Sequence, residues 1–226
     1  MDCAGCAAPL SDDPVPFFCR ACWAQVAALG GPACPRCGKP FAAATALAYS
    51  PGHLCEACRK RPPAYTQAWS AFRYAPPLQE AIHLFKYRGK VSLAKALGEL
   101  MQAAGPPASV DVLMPIPLHP ARLREREFNQ ALLLADRLGA AWRLPVSCHN
   151  LSRIRLTASQ TELSRAARLK NLRRAFALRR PEEVAGRRVL LIDDVFTTGT
   201  TVNECAKTLR KAGAADVYVF TLARTL

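Results

Sequence analysis

Ten cysteines stand in this chain of 226 residues, and eight of them fall in four Cys-x-x-Cys pairs: Cys3/Cys6, Cys19/Cys22, Cys34/Cys37 and Cys55/Cys58. Such a turn brings two thiolates to one point, and two turns complete the tetrahedral shell of a zinc ion. Eight thiolates therefore suit two zinc sites. Sites made wholly of thiolates are closed to substrate, so their role is structural. A disulfide framework is the competing reading. It fits poorly, because "MDCAGC" does not begin as a secretory signal does and no apolar run reaches transmembrane length. The chain is expected in the cytoplasm. Spacing leaves the pairing of knuckles open. A sequential scheme joins Cys3, Cys6, Cys19 and Cys22, then Cys34, Cys37, Cys55 and Cys58; a cross-braced scheme alternates the knuckles. The sequential scheme is favoured. Cys148 and Cys205 lie outside the pairs and are expected to be buried apolar residues.

A second constellation lies at residues 189–201, "VLLIDDVFTTGTT". Val189 to Ile192 have no polar alternation, as in a strand covered on both faces. Asp193 and Asp194 fall at its carboxyl end, where open α/β sheets bind ligands. Gly199 permits a tight turn, and Thr197, Thr198, Thr200 and Thr201 add hydroxyls just ahead of a helix, so the loop can cradle one phosphate. A helix cap with a glycine turn explains the threonines equally well. The acids decide between the two readings. Carboxylates repel phosphate, but they accept hydrogen bonds from a vicinal diol. Phosphate on the loop and a diol on the acids describe a ribose 5-phosphate.

Elements that must position these groups are legible around them. Residues 202–212 carry an apolar helical stripe, and Gly213 stops it. "AWSAFRY" (68–74), "DVLMPIPLHP" (111–120), "VSCHNL" (146–151) and "DVYVFTLA" (216–223) read as strands. Residues 76–89, 92–105 and 121–141 read as helices, and 152–176 as a polar loop running into a helix over 162–175. "RKRPPAY" (59–65) has the look of a linker. Alternating strands and helices imply an α/β fold with a parallel sheet and flanking helices, preceded by a small Cys-rich zinc-ribbon module. The expected division is 1–62 for the zinc module and 63–226 for the main domain.

The four knuckles, "PIPLHPARLREREFNQ", "RIRLTASQTELSRAARLKNLRRAF" and the terminal "VFTLART" together resemble the ComF family of competence proteins, and "VLLIDDVFTTGTT" resembles the ribose-phosphate signature of type I phosphoribosyltransferases. The likeness spans essentially the whole chain. It implies a double zinc ribbon, a type I phosphoribosyltransferase fold and a site for phosphoribosyl pyrophosphate with Mg2+. By that resemblance Asp193 and Asp194 hold the ribose and, in an enzyme, are the catalytic acids. Thr197, Thr198, Gly199, Thr200 and Thr201 hold the 5′-phosphate. Leu118, His119 and Arg122 fall on the pyrophosphate-contacting loop, and Arg153 and Arg155 on a flexible loop that closes over the ligand. The family usually reads Arg-Gly-Phe-Asn-Gln where this chain has Arg126-Glu127-Phe128-Asn129-Gln130. If the glycine serves a positive φ, Glu127 is strained there, and its charge is expected to point outward.

Net charge is +14, and residues 119–188 hold sixteen Lys/Arg against six acids. A solvated basic surface is the plain explanation; a polyanion site is the functional one. The family likeness implies single-stranded DNA, with Arg165, Arg168, Lys170, Arg173 and Arg174 as its contacts. It also implies a role in DNA uptake and possible DNA-uptake helicase or channel partners at the inner face of the membrane. The alternative is an active phosphoribosyltransferase acting on a base or amine.

Overall fold

A computed structural model describes residues 1–43, 47, 50–105, 109–155 and 175–226. Four parallel strands form the main sheet: β1 (Gln67–Arg73), β2 (Val112–Pro115), β5 (Arg188–Phe196) and β6 (Asp216–Arg224), in the order β1-β6-β5-β2. Val189, Leu190, Leu191 and Ile192 of β5 are all 0% exposed, as a strand between two neighbours and two covering layers requires.

Alternation along β5 divides the core in two. Val189 and Leu191 join Val217 and Val219 of β6 on one face. Val202, Cys205, Ala206 and Leu209 of the helix Thr200–Lys211 cover that face. Leu190 and Ile192 face the other side, with Phe220 and Leu222. There they meet the helices Leu78–Tyr87, Leu93–Ala103 and Gln130–Trp142.

The two thiolate knuckle sets divide between the same two faces. Cys34, Cys37, Cys55, Cys58 and Tyr65 belong to the first core. Val15 and Phe18 belong to the second, with Phe17, Trp23 and Val26 packed against it. Between them they cover the outer edge of β1. Leu29 N–H donates to Ala71 O at 2.8 Å, Arg73 N–H to Ala27 O at 2.9 Å and Ala68 N–H to Arg36 O at 2.9 Å. An exposed strand edge invites pairing with another chain, and here backbone from the cysteine-rich segment satisfies it. Gly38 sits so close to β1 that a Cβ would fall 2.7 Å from Ala68 O. The stretch after the last knuckle is also docked: Ala64 N–H donates to Asn203 Oδ1 at 2.7 Å, and Thr66 N–H to Val217 O at 2.6 Å.

Several sequence expectations need correction. The helix expected over 121–141 is two helices, Pro120–Arg126 and Gln130–Trp142. Glu127 ends the first at φ 66°, and Asn129 caps the second by accepting from Ala131 N–H at 3.0 Å. A left-handed residue and an Asx cap end one helix and start the next. The strand expected at 146–151 is reduced to a single bridge between Val146 and Leu113. Leu151–Arg153 (β3) instead pairs antiparallel with Phe176–Leu178 (β4), in a separate small ribbon. The strand starting at residue 111 ends at Pro115, because Pro115 and Pro117 have no N–H to continue a ladder. Cys205 is buried as expected, but Cys148 is exposed. The helix expected over 162–175 falls almost wholly outside the described residues.

Candidate functional site

The β5 strand runs two residues past its acids, to Phe196, and the helix Thr200–Lys211 starts at once. Gly199 is the hinge of this turn, with φ 72° in the left-handed region. A side chain is excluded twice over: L-residues resist that conformation, and a Cβ would approach Phe196 Cζ to 2.6 Å. The i−4 ladder begins when Asn203 N–H reaches Gly199 O at 3.0 Å, so the amides of 200–202 stand ahead of it at the helix entrance. Thr198 Oγ1 and Thr200 Oγ1 lie 2.8 Å apart and pin the turn internally. Backbone amides at a positive helix end favour an anion.

Consecutive strand residues point to opposite faces. Asp194 turns towards the helix Leu78–Tyr87, where Lys86 Nζ meets its Oδ2 at 2.8 Å. Asp193 turns the other way and accepts from Asp194 N–H at 2.9 Å. Burial, then the neighbouring Asp194, push the Asp193 carboxyl up to about 8, and Lys86 pulls against both. For Lys86, burial disfavours the ammonium, but Asp194 and Asp193 outweigh it and hold its pKa above the ordinary value.

These groups floor a cleft of about 400 Å³. Opposite the threonine loop stands the start of the helix Pro120–Arg126. Its cap is His119, whose Nδ1 accepts from Ala121 N–H at 3.2 Å. Asn129 Nδ2 donates to Ile116 O at 3.1 Å and ties the loop after β2 to the next helix. Arg126 lies 4.8 Å from the centroid of Tyr87 and donates to Gln130 Oε1 at 3.3 Å. Cations from three separate segments therefore line the cleft: Lys86, Arg122 with Arg126, and Arg153. The acids and the helix entrance line it too, with Lys86 already paired to Asp194. Such a cavity suits a ligand that carries both anionic groups and hydroxyls.

Of the expected residues, Asp193, Asp194, Thr197, Gly199, Thr200, Thr201, Leu118, His119, Arg122 and Arg153 line this single cleft. Thr198 is not in the lining, its hydroxyl being engaged with Thr200. Arg155 is exposed and also outside it. Arg165, Arg168, Lys170, Arg173 and Arg174 lie outside the described residues. Glu127 takes the positive φ that the glycine comparison anticipates, and its side chain is exposed. Lys86, Arg126, Asn129 and Gln130 were missed by sequence reasoning, which offers Tyr87 only as a residue that could stack a base. For Lys86 a signal existed. It falls four residues after Ile82 and eight after Leu78, on the stripe that buries those residues. A lysine on an apolar stripe needs a buried acid.

The knuckles pair sequentially. Cys3, Cys6, Cys19 and Cys22 form one cluster and Cys34, Cys37, Cys55 and Cys58 the other, with ligand atoms within 4.8 Å of one another. Cys6 and Cys19 Sγ lie 3.7 Å apart, as do Cys37 and Cys55. A tetrahedron of about 2.3 Å Zn–S bonds has sulfur edges of about 3.8 Å, so both clusters fit zinc. Backbone amides point at the sulfurs: Cys19 N–H at Cys3 Sγ (3.3 Å) and Cys55 N–H at Cys34 Sγ (3.4 Å). Burial works against ionising Cys3 and Cys34, but these amides outweigh it and bring them to about 6 and about 7. Burial and neighbouring sulfurs push Cys58 far up. A divalent cation is the natural remedy for thiolates crowded together.

Residues 1–59 match the double zinc ribbon domain family, and residues 134–225 the phosphoribosyl transferase domain family. Fold and site thus define a phosphoribosyltransferase-fold protein built onto a double zinc ribbon. The DNA utilization protein YhgH of Salmonella typhi is 37% identical over 205 residues, which cover 85% of this chain and 84% of that protein. Competence protein F of Haemophilus influenzae is 33% identical, covering 92% of this chain and 90% of that one. Competence protein ComFC of Bacillus subtilis is 31% identical, covering 92% and 84%. The chain belongs to the ComF family of competence proteins. No helix among the described residues is long and apolar enough to cross a membrane.

Proposed function

We propose that this protein binds phosphoribosyl pyrophosphate with Mg2+ in the cleft and uses that site in DNA uptake, with single-stranded DNA as a further ligand. One observation carries the first half: Asp193 and Asp194 lie six and five residues before a left-handed Gly199 at a helix entrance, and they share a cleft of about 400 Å³ with Lys86, Arg122, Arg126 and Arg153. In this reading the amides and hydroxyls of 197–201 hold the 5′-phosphate, and the acids accept from the ribose diol. His119, Arg122 and Arg153 face the pyrophosphate, and Arg155 joins them from the rim. Magnesium, a cation that prefers oxygen ligands, would neutralise the charge of the pyrophosphate beside Asp193 and Asp194.

The DNA half draws on the names of the relatives and on charge. The excess of cations in 119–188 suits a phosphate backbone, whose neutralisation makes binding strongly salt-dependent. Tyr87 is 57% exposed at the cleft mouth and carries Arg126 on its ring, whereas Phe85 is fully buried and has no access to a base.

The test is thermal unfolding with phosphoribosyl pyrophosphate, with and without Mg2+. A ligand that binds only the folded state raises the melting temperature, and the metal should raise it further. No shift at millimolar ligand would reject the site. The same mixtures with a panel of bases distinguish binding from transfer: release of pyrophosphate would make the protein an active phosphoribosyltransferase. Neutralising Arg165, Arg168 and Arg173 together should lower the salt slope of single-stranded DNA binding by about one to two units, at roughly 0.7 per phosphate contact.

A further inference from the structure

The second thiolate cluster and the threonine loop are joined by one continuous line of contacts. Arg224, at the end of β6, is 6% exposed. Its Nη1 donates to Cys37 O at 2.6 Å, and its Nη2 lies 4.0 Å from Cys37 Sγ. Its guanidinium carbon is 4.4 Å from the centroid of Phe196, the strand neighbour it pairs with in register. Phe196 is 3% exposed, and Tyr65 packs edge-on against it at 6.4 Å between centroids. Phe196 in turn fills the space beneath Gly199, where even a Cβ would not fit. Among the described residues no carboxylate pairs with Arg224. A guanidinium this enclosed needs a negative partner, and the neighbouring sulfurs are the ones at hand.

We propose that Arg224 is a positioning residue that ties occupancy of the second zinc site to the shape of the phosphate loop. The proposal rests on reading residues 197–201 as that loop. Four thiolates around one zinc ion keep about two net negative charges, which hold the guanidinium in place. The guanidinium seats Phe196 through its ring face, a contact that strengthens where water is excluded. Phe196 seats Gly199, and Gly199 aims the amides of the helix entrance. Without the ion nothing holds the four sulfurs together, and Arg224 loses both its carbonyl anchor and its counter-charge. Val15 and Phe18, the neighbours of the first cluster, belong to the core on the opposite face of the sheet, and among the described residues no such line of contacts joins that cluster to the loop.

This asymmetry supplies the control. Ribose 5-phosphate binding is measured by calorimetry, amide hydrogen exchange at 197–202 by mass spectrometry, and zinc by metal analysis, all on the full chain. Arg224→Met should keep two zinc ions per chain, speed exchange at the loop and weaken ribose 5-phosphate by about tenfold, equivalent to ~1.4 kcal/mol. Arg224→Lys should recover part of both, since an ammonium reaches one partner but lacks the planar fork. Cys34→Ser should lose one ion and reproduce the loop-exchange and affinity changes of Arg224→Met, and Cys6→Ser should lose one ion but leave loop exchange and ligand affinity as in the unaltered protein. Equal effects of the two cysteine changes, unchanged loop exchange in Arg224→Met, or loss of zinc in that variant would each overturn the proposal. Should the unaltered protein bind no ribose 5-phosphate, the phosphate reading falls, and the exchange data alone still decide the coupling.

Discussion

Lys86 Nζ lies 2.8 Å from Asp194 Oδ2, in a pair whose side chains are 19% and 6% exposed. The two residues are 108 positions apart and meet where a helix end crosses the carboxyl end of the central strand. The acid proposed to hold the ribose is thus already engaged by a cation of the protein. Removing either partner leaves the other charge buried without compensation. Lys86→Met should cost about 3–5 kcal/mol in urea unfolding, and adding Asp194→Leu should return most of it. Strict additivity of the two changes would show that the contact contributes nothing.

Asp193 makes stability depend on pH in a stated direction. Its folded pKa stands at about 8, against an ordinary 3.8, chiefly through burial. The folded state therefore holds this proton more tightly than the unfolded chain does. The stabilisation from it is complete below the unfolded value and is lost as pH rises through about 8. Asp193→Asn cannot ionise, so its melting temperature should gain on that of the unaltered protein as pH rises from 5 to about 8, and the difference should then level off. A difference that is constant with pH would refute the assignment.

Asp193→Asn combined with Asp194→Asn should abolish the melting shift produced by phosphoribosyl pyrophosphate while leaving the protein folded, judged by circular dichroism. Persistence of the full shift would remove the acids from the ribose.

Gly199→Ala should destabilise by about 1–3 kcal/mol from the left-handed backbone alone, and more because Phe196 must move. Because the strain falls on the helix entrance, the ligand-induced shift should shrink in the same variant. A neutral effect on both would mean that the turn relaxes freely.

Zinc content should be two ions per chain, and Cys6→Ser or Cys34→Ser should each lose one. Their thermal effects should differ. Cys34 lies in one core with Val202 and Leu209 of the main sheet's covering helix, whereas Cys6 is exposed. Cys34→Ser should lower the melting temperature by more than Cys6→Ser does.

Local chemistry was readable from the chain alone. Four Cys-x-x-Cys turns imply two zinc ions because each turn is a local geometry needing no distant partner. The run from Val189 to Ile192 followed by acids, glycine and threonines implies a buried strand, a ligand end and a helix entrance, all within contiguous residues. The left-handed backbone at Glu127 was legible only through the family resemblance, which has glycine at that position.

What remained hidden depends on contacts between distant segments. Spacing could not choose between sequential and cross-braced knuckles, since both satisfy a tetrahedron; the three-dimensional path of the chain chooses the sequential one. The break between the helices at Arg126 and Gln130 carries no glycine or proline to announce it, and Asn129 imposes it by bonding back to Ile116. The strand Phe176–Leu178 is too short to carry a period of its own and exists because Leu151–Arg153 pairs with it. Only the tertiary structure brings Lys86 to Asp194 and Arg224 to Cys37. A buried charge is stabilised by whatever opposite charge the fold delivers to it, and sequence proximity does not govern that delivery.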